Sequence, residues 1–195
     1  MVKLNKIYTR NGDKGLTQLV GGTPISKHSP RVHAYGEVDE LNAALGIVRT
    51  LFDGHNQKET CYKILTKVQN ELFDMGSILA TDPTQAWEGM PEISKSHLEQ
   101  LEGWIDTLNK DLPELNSFVL PGGTQANSFI HLARTICRRA ERSISSLSAT
   151  EPVPANILIY LNRLSDLLFV MARWEVKQEQ KDEYLWVPGG TAKVS

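Results

Sequence analysis

Arg134, Arg138, Glu141 and Arg142 stand at i, i+4, i+7 and i+8, a spacing that puts four long polar side chains on one face of a helix. Such a face either lies in solvent with its charges paired along the helix, or offers a row of cations to an anion. A second cationic stretch is built differently. Ile7-Tyr8-Thr9-Arg10-Asn11-Gly12-Asp13-Lys14-Gly15-Leu16-Thr17 mixes glycines, hydroxyls and cations without helical period, the material of a loop that wraps backbone N–H groups around an anion. It is not a Walker A loop, because GxxxxGK[ST] is absent. Composition alone leaves phosphate binding standing beside an ordinary turn-rich arm. Further along, Asn162, Ser165 and Asp166 share a helical face with Arg163 adjacent; such groups are satisfied inside a bundle, at an oligomer contact, or by a ribose or base. Asp39 and Glu40 sit near the start of a helix, where acids suit the dipole.

Charge is distributed unevenly. The chain has 195 residues with a net charge of −2, so the total gives no support to general polyanion binding. Residues 1–36 nevertheless carry Lys3, Lys6, Arg10, Lys14, Lys27 and Arg31 against Asp13 alone, a net +5, and residues 124–147 carry four arginines against Glu141. Two basic segments this far apart make one composite anion site only if the fold joins them. The two cysteines, Cys61 and Cys137, have no zinc or CxxC spacing and fall in apolar helical patterns, which reads as buried small side chains in a reducing cytosol. The five histidines form no HxxxH pair and no Glu is followed three residues later by His, which disfavours a zincin or a di-iron bundle.

The elements that must position these residues are helices. Val38, Leu41, Leu45, Val48 and Phe52 make a first stripe, and Cys61, Leu65, Val68, Leu72, Met75 and Leu79 a second, stepping by three and four. Leu98, Leu101, Ile105 and Leu108 follow the N-cap residue Ser94. Phe129, Ala133, Ile136, Ala140, Ile144 and Leu147 define a long helix opening near Thr124 after Pro121-Gly122-Gly123. Ile157, Leu161, Leu164, Leu168 and Met171 follow Pro154. Loops are expected near 53–58, 81–93, 109–123 and 148–153, where Gly, Pro, Asn and Asp gather. The fold class is therefore all-α: one domain over 1–195, an up-and-down five-helix bundle over 31–180, with an irregular phosphate-binding arm over 1–30. The longest apolar run, Leu167 to Ala172, is far below the roughly 20 residues of a membrane span, and no signal peptide is visible. Neither a membrane nor a nucleic acid is expected as partner, and the expected location is cytoplasmic.

The order of the motifs carries more than any one of them. Tyr8-Thr-Arg-Asn-Gly-Asp-Lys-Gly15, Ser26-Lys27, Gly36-Glu-Val-Asp-Glu-Leu-Asn-Ala43, Phe118-Val-Leu-Pro-Gly-Gly123, Ala133-Arg-Thr-Ile-Cys-Arg-Arg-Ala-Glu-Arg142 and Tyr160-Leu-Asn-Arg-Leu-Ser-Asp166 together resemble the ATP:cob(I)alamin adenosyltransferases of the trimeric five-helix type, over nearly the whole chain. The resemblance implies that ATP and cob(I)alamin are substrates and that the products are adenosylcobalamin and triphosphate. It gives Thr9, Arg10, Asn11, Gly12, Thr17, Gln18 and Lys27 to the ATP triphosphate. Arg138, Arg139, Ala140, Glu141, Arg142 and Asn162 come to it from a neighbouring subunit of a homotrimer. Asp39 and Arg134 are implied to form an intersubunit ion pair, and Phe118 to lie on the corrinoid side, keeping the lower ligand off cobalt. Catalysis would rest chiefly on Arg138, Lys27 and Phe118. The chain departs from many members at Asn11, where they have Thr; a hydroxyl contact is lost, while Asn suits a tight turn and keeps its backbone N–H.

The implied chemistry agrees with the absence of an activated Ser, Cys or Lys. Reduced cobalt attacks the 5′ carbon of ATP and expels the triphosphate, so the nucleophile belongs to the cofactor. The protein has to align the reactants and hold leaving-group charge, with Mg²⁺ on the phosphates and no metal held by side chains. A flavin-type reductase and an adenosylcobalamin-dependent enzyme are the further partners such chemistry calls for. Two other functions use the same residues: a helical regulatory or nucleic-acid-binding protein reading phosphates with its Arg face, and another ATP-dependent transferase on the same bundle. The first predicts salt-sensitive nucleic-acid affinity. The second predicts ADP or diphosphate in place of triphosphate. For Phe118 the competing role is a hydrophobic plug for the bundle end.

Overall fold

Ser29 opens the first helix: its Oγ accepts the Val32 N–H at 3.2 Å, and Pro30 begins α1 (Pro30–Thr50), where its missing N–H costs nothing. The computed structural model describes residues 8, 10–53 and 59–190. Helix α2 (Glu59–Leu79) carries the stripe from Cys61 to Leu79, and all six of its stripe residues are buried. Ahead of α3 (Lys95–Asn109), Nδ1 of His97 accepts the Ser94 N–H at 3.0 Å, standing in for the Glu or Gln of a capping box. Thr124 caps α4 (Gln125–Ser148) by accepting the Asn127 N–H at 2.9 Å, and α5 (Ala155–Gln178) follows Pro154.

Helix α1 packs on α2 and α4, and α5 packs on α4 and α3, so α4 and α5 form the middle of the bundle around one contiguous apolar core. Helix α5 has the length and apolar composition of a membrane span. Its stripe Ile157, Leu161, Leu164, Leu168 and Met171 is nevertheless fully buried against the other helices. Inside the core Tyr160 donates its hydroxyl to Glu71 at 2.6 Å, and Lys67 approaches the other carboxylate oxygen at 3.2 Å. The buried acid and phenol thus partner each other.

Four short strands complete the described chain. In the arm, β1 (Leu16–Gln18) pairs antiparallel with β2 (Pro24–Ser26), with Thr17 opposite Ile25. The turn between them runs through Gly21 and Gly22 at φ +99° and +91°, the left-handed region that favours glycine. Beyond the arm, β3 (Val119–Leu120), in the loop before α4, pairs antiparallel with β4 (Tyr184–Leu185), which follows α5. Strands of two or three residues leave no alternation to read, which is why periodicity finds the helices and misses these.

Candidate functional site

The arm is seated on the bundle by its turn. The Val20 N–H donates to the Ala80 carbonyl at 2.8 Å, and Thr23 Oγ1 donates to Asp82 at 2.9 Å. Tyr35 of α1 hydrogen-bonds Thr17 from below. So anchored, the arm encloses a cleft of about 620 Å³ lined by Asn11, Gly12, Thr17, Gln18 and Lys27, five of the residues predicted for triphosphate. Gly12 permits a close approach: a Cβ there would lie 2.9 Å from Lys27 Nζ and 3.3 Å from the Leu16 carbonyl. The lysine head therefore lies against the glycine backbone. Arg10 is exposed, with its guanidinium 5.7 Å from the Tyr8 ring centre. Thr9 lies outside the described residues. Arg31, counted above with the basic arm, is not available to an anion: it is 2% exposed, donates to Glu151 at 2.6 Å and to the Leu79 carbonyl at 2.9 Å. It ties the start of α1 to the end of α2 and to the α4–α5 turn.

On α4 the arginines divide. Arg138 and Arg142 are exposed and make no hydrogen bond or ion pair among the described residues. Arg139 instead donates to both Glu37 and Glu40 of α1, which raises its already high pKa. Ala140 is fully buried in the core, so its side chain is not a nucleotide contact. Glu141 accepts from Asn162 Nδ2 at 3.2 Å, and Asn162 Oδ1 accepts from Arg163 at 3.0 Å. That chain of partners joins α4 to α5, and Arg163 reaches on to Glu102 of α3 at 2.8 Å. A cleft of about 330 Å³ beside Arg139 and Arg142 is lined by Pro30 and His33 and shares no residue with the arm cleft. Arg134 donates to His131, and Asp39 is exposed in a third cleft beside Phe73, so the two do not pair within the chain. Cys137 is buried with its thiol donating to the Leu161 carbonyl at 3.3 Å, and burial pushes its pKa up. It is inert, as a small core residue should be.

Phe118 is 76% exposed, which removes the plug role. A cleft of about 450 Å³ lies between it, Leu115, Ser117 and Phe169. Its loop is held from two sides. Asn127, itself buried, accepts the Gly122 N–H at 2.8 Å and donates to the Ala172 carbonyl at 3.0 Å. On the other side the Trp186 N–H donates to the Phe118 carbonyl at 2.8 Å, and the two rings meet edge to face at 6.0 Å. Asn127, Trp186 and Glu37 were not found from sequence, since their importance comes from partners far along the chain; Asp39 and Glu40, read there as acids near a helix start, lie midway along α1, which begins at Pro30, and Glu40 instead pairs with Arg139. A larger cavity of about 640 Å³, between Ile78, Met90, Ile93 and Val153, contains none of the predicted site residues, and its one arginine, Arg31, is already paired.

The comparisons with known proteins agree with one another. A family model described as cobalamin adenosyltransferase matches residues 7–175. A corrinoid adenosyltransferase of Mycobacterium leprae is 41% identical over 196 residues, covering 97% of this chain and 99% of its own. Another, from Bacillus subtilis, is 44% identical over 168 residues, 86% of this chain and 85% of its own. Among solved structures, a phenylalanine-to-histidine variant of a PduO-type ATP:corrinoid adenosyltransferase from Lactobacillus reuteri, complexed with cobalamin and ATP, is similar with a TM-score of 0.87 at 41% identity, covering 93% of this chain and 96% of that one. An arginine-to-lysine variant of that type from the same organism, complexed with ATP, gives 0.84 at 41% identity, over 93% and 100% of the two chains.

Proposed function

The chain belongs to the cobalamin adenosyltransferase family and carries out ATP-dependent adenosyl transfer to a corrinoid, and from that premise we propose that its arm cleft and its arginine helix close on one ATP from two subunits of a homotrimer. One observation carries the reading. Asn11, Gly12, Thr17, Gln18 and Lys27 line one cleft, while Arg138 and Arg142 stand exposed and without an intrachain partner among the described residues, and Arg142 lines a second cleft that shares no residue with the first. Exposed cations without carboxylates opposite suit a polyanion supplied from outside. Asp39, exposed beside the 73% exposed Phe73, is left to meet Arg134 of a neighbouring copy, and the apolar ring gives that contact a surface to bury.

In this reading cobalt(I) attacks the 5′ carbon of ATP, the cobalt–carbon bond forms as the carbon–oxygen bond breaks, and the electron pair leaves on the triphosphate. Lys27 and Arg138 sit where that charge develops and stabilise it without reorganisation. The residues lining the arm cleft offer the neutral oxygens of Asn11, Thr17 and Gln18 and no carboxylate, which suits Mg²⁺ held by phosphate oxygens rather than by acidic side chains. Phe118, with Trp186 against its edge, supplies an apolar surface that refuses water and a nitrogenous lower ligand. We place the reaction in the cytoplasm, with a flavin-type reductase supplying electrons and an adenosylcobalamin-dependent enzyme taking the product. Anaerobic incubation with ATP, Mg²⁺ and chemically reduced cobalamin tests the chemistry: a cobalt–carbon bond should form with one intact triphosphate released, and ADP or diphosphate as product would refute it.

A further inference from the structure

Arg134 is half-buried, and its Nε–H donates to Nδ1 of His131, one turn earlier on α4, at 3.3 Å. His131 is 1% exposed. A ring nitrogen can accept only where it carries no proton, so this contact places the imidazole proton on Nε2. Nε2 finds no hydrogen-bond partner among the described residues. The ring thus leaves one buried polar group unpaired while its other nitrogen serves the arginine. Buried side chains rarely accept such a loss without a reason.

The groups around the ring fit a fixed neutral imidazole. Phe169 of α5 meets it edge to face at 6.2 Å, and Phe169 also walls the cleft that holds Phe118. Glu183, just before β4, faces the ring from the C-terminal segment, but its carboxylate is taken by Arg173 at 2.8 and 3.2 Å. Neither neighbour competes with Arg134 for Nδ1.

We propose that His131 is a positioning residue: through Nδ1 it holds the Arg134 guanidinium ready for a carboxylate on the neighbouring copy, and its Nε2–H tautomer is the one this task requires. The proposal rests on the two-subunit reading above. Without the acceptor, Arg134 is free to swing, and the concentration at which the assembly dissociates should rise roughly tenfold.

Two measurements test it on the full-length protein. Two-bond ¹⁵N–¹H correlation spectra of protein labelled at histidine should show His131 protonated on Nε2, with Nδ1 shifted as an acceptor; a proton on Nδ1 would overturn the proposal whatever the variants do. His131→Asn places an amide oxygen where Nδ1 lies, whereas His131→Gln reaches toward Nε2 and His131→Leu offers no acceptor. Asn should keep the wild-type dissociation concentration and KM for ATP, and Gln and Leu should raise both while their thermal melts remain cooperative. Equal behaviour of all three, whether intact or impaired, would mean that His131 only fills space. Arg134→Ala separates this from the reading beneath it: if that variant assembles and binds ATP as wild type does, the subunit-boundary role fails, while the tautomer result still reports on His131 itself.

Discussion

Lys27 and Arg138 are exposed, and neither is a strut of the bundle. Replacing either with Ala should therefore change stability by no more than about 0.5 kcal/mol. The same replacements should lower kcat by about 10² to 10³, the usual loss of one contact to developing charge. Arg139→Ala should do the reverse, lowering the melting temperature more than Arg138→Ala because, among the described residues, it leaves the buried Glu37 with only His33, 3.5 Å away. Steady-state rates beside thermal melts of the three variants distinguish the roles. Phe118→Ala removes an exposed ring, so the melt should stay within about 0.5 kcal/mol of wild type. Adenosylation starting from cobalt(II) with a protein reductant should fall far more than adenosylation of pre-reduced cobalt(I); equal rates in both assays would remove Phe118 from the mechanism. His131 supplies a pH dependence. Burial first, then the Arg134 charge, holds its folded pKa at about 4 against 6.5 in the unfolded chain, with Glu183 opposing. The unfolded chain thus takes up a proton that the folded chain refuses. Stability should be full above pH 6.5 and fall as pH drops toward 4, by up to about 3 kcal/mol in total. Urea unfolding at pH 7.5 and pH 5 checks this, and His131→Asn should flatten the difference.

At the scale of elements, the arm is where backbone geometry and chemistry meet. A Cβ at Gly12 would press on Lys27 Nζ, the far end of a flexible side chain, and lie 3.3 Å from the Leu16 carbonyl; the lysine has to swing aside and the arm backbone to give by a few tenths of an ångström, and neither residue belongs to the bundle core. Gly12→Ala should therefore leave the melting temperature nearly unchanged while displacing the lysine, raising KM for ATP or lowering kcat several-fold. Wild-type kinetics in that variant would show that Lys27 does not work from its place against Gly12. The arm's cleft was legible in the sequence because its glycines, hydroxyls and lysine lie within about twenty residues, and a short hairpin suffices to gather them. From its own residues the loop carrying Phe118 was legible only as a loop, and the corrinoid role of Phe118 came from the family resemblance. Its aim is set by Asn127 beneath it and by β4 alongside, and the Phe118 and Trp186 that touch are joined by no local pattern.

For the whole molecule, exposed cations lie in two separate clefts, Lys27 in one and Arg142 in the other, and the proposed shared site therefore stands or falls on assembly. Sedimentation at micromolar protein should give a species near three chain masses, and a stable, fully active monomer would refute the shared site. Mixing offers a stricter test. In the proposed two-subunit site, Lys27→Ala and Arg138→Ala would damage opposite halves, so random mixed trimers should rebuild intact sites and recover about a quarter of wild-type activity. If each subunit supplied both halves itself, mixing would restore nothing.

Helical stripes, caps and the inertness of both cysteines followed from sequence alone, because a period of 3.6 and an N-cap are decided by residues within a turn or two of each other. What each charge does was decided by the tertiary structure. Arg31 reads as one more cation of a basic arm until Glu151, 120 residues away, and the end of α2 are brought against it. Arg139 reads like Arg138 beside it until α1 sets Glu37, 102 residues away, and Glu40 opposite. His131 reads only as one of five histidines without a metal spacing until its Nδ1 is found accepting from Arg134 and its other nitrogen is left without a partner among the described residues. A side chain's apolar or polar character is local and survives in the sequence. Whether a charge is free depends on what lies across from it, and only the packing of α1, α4 and α5 settles that.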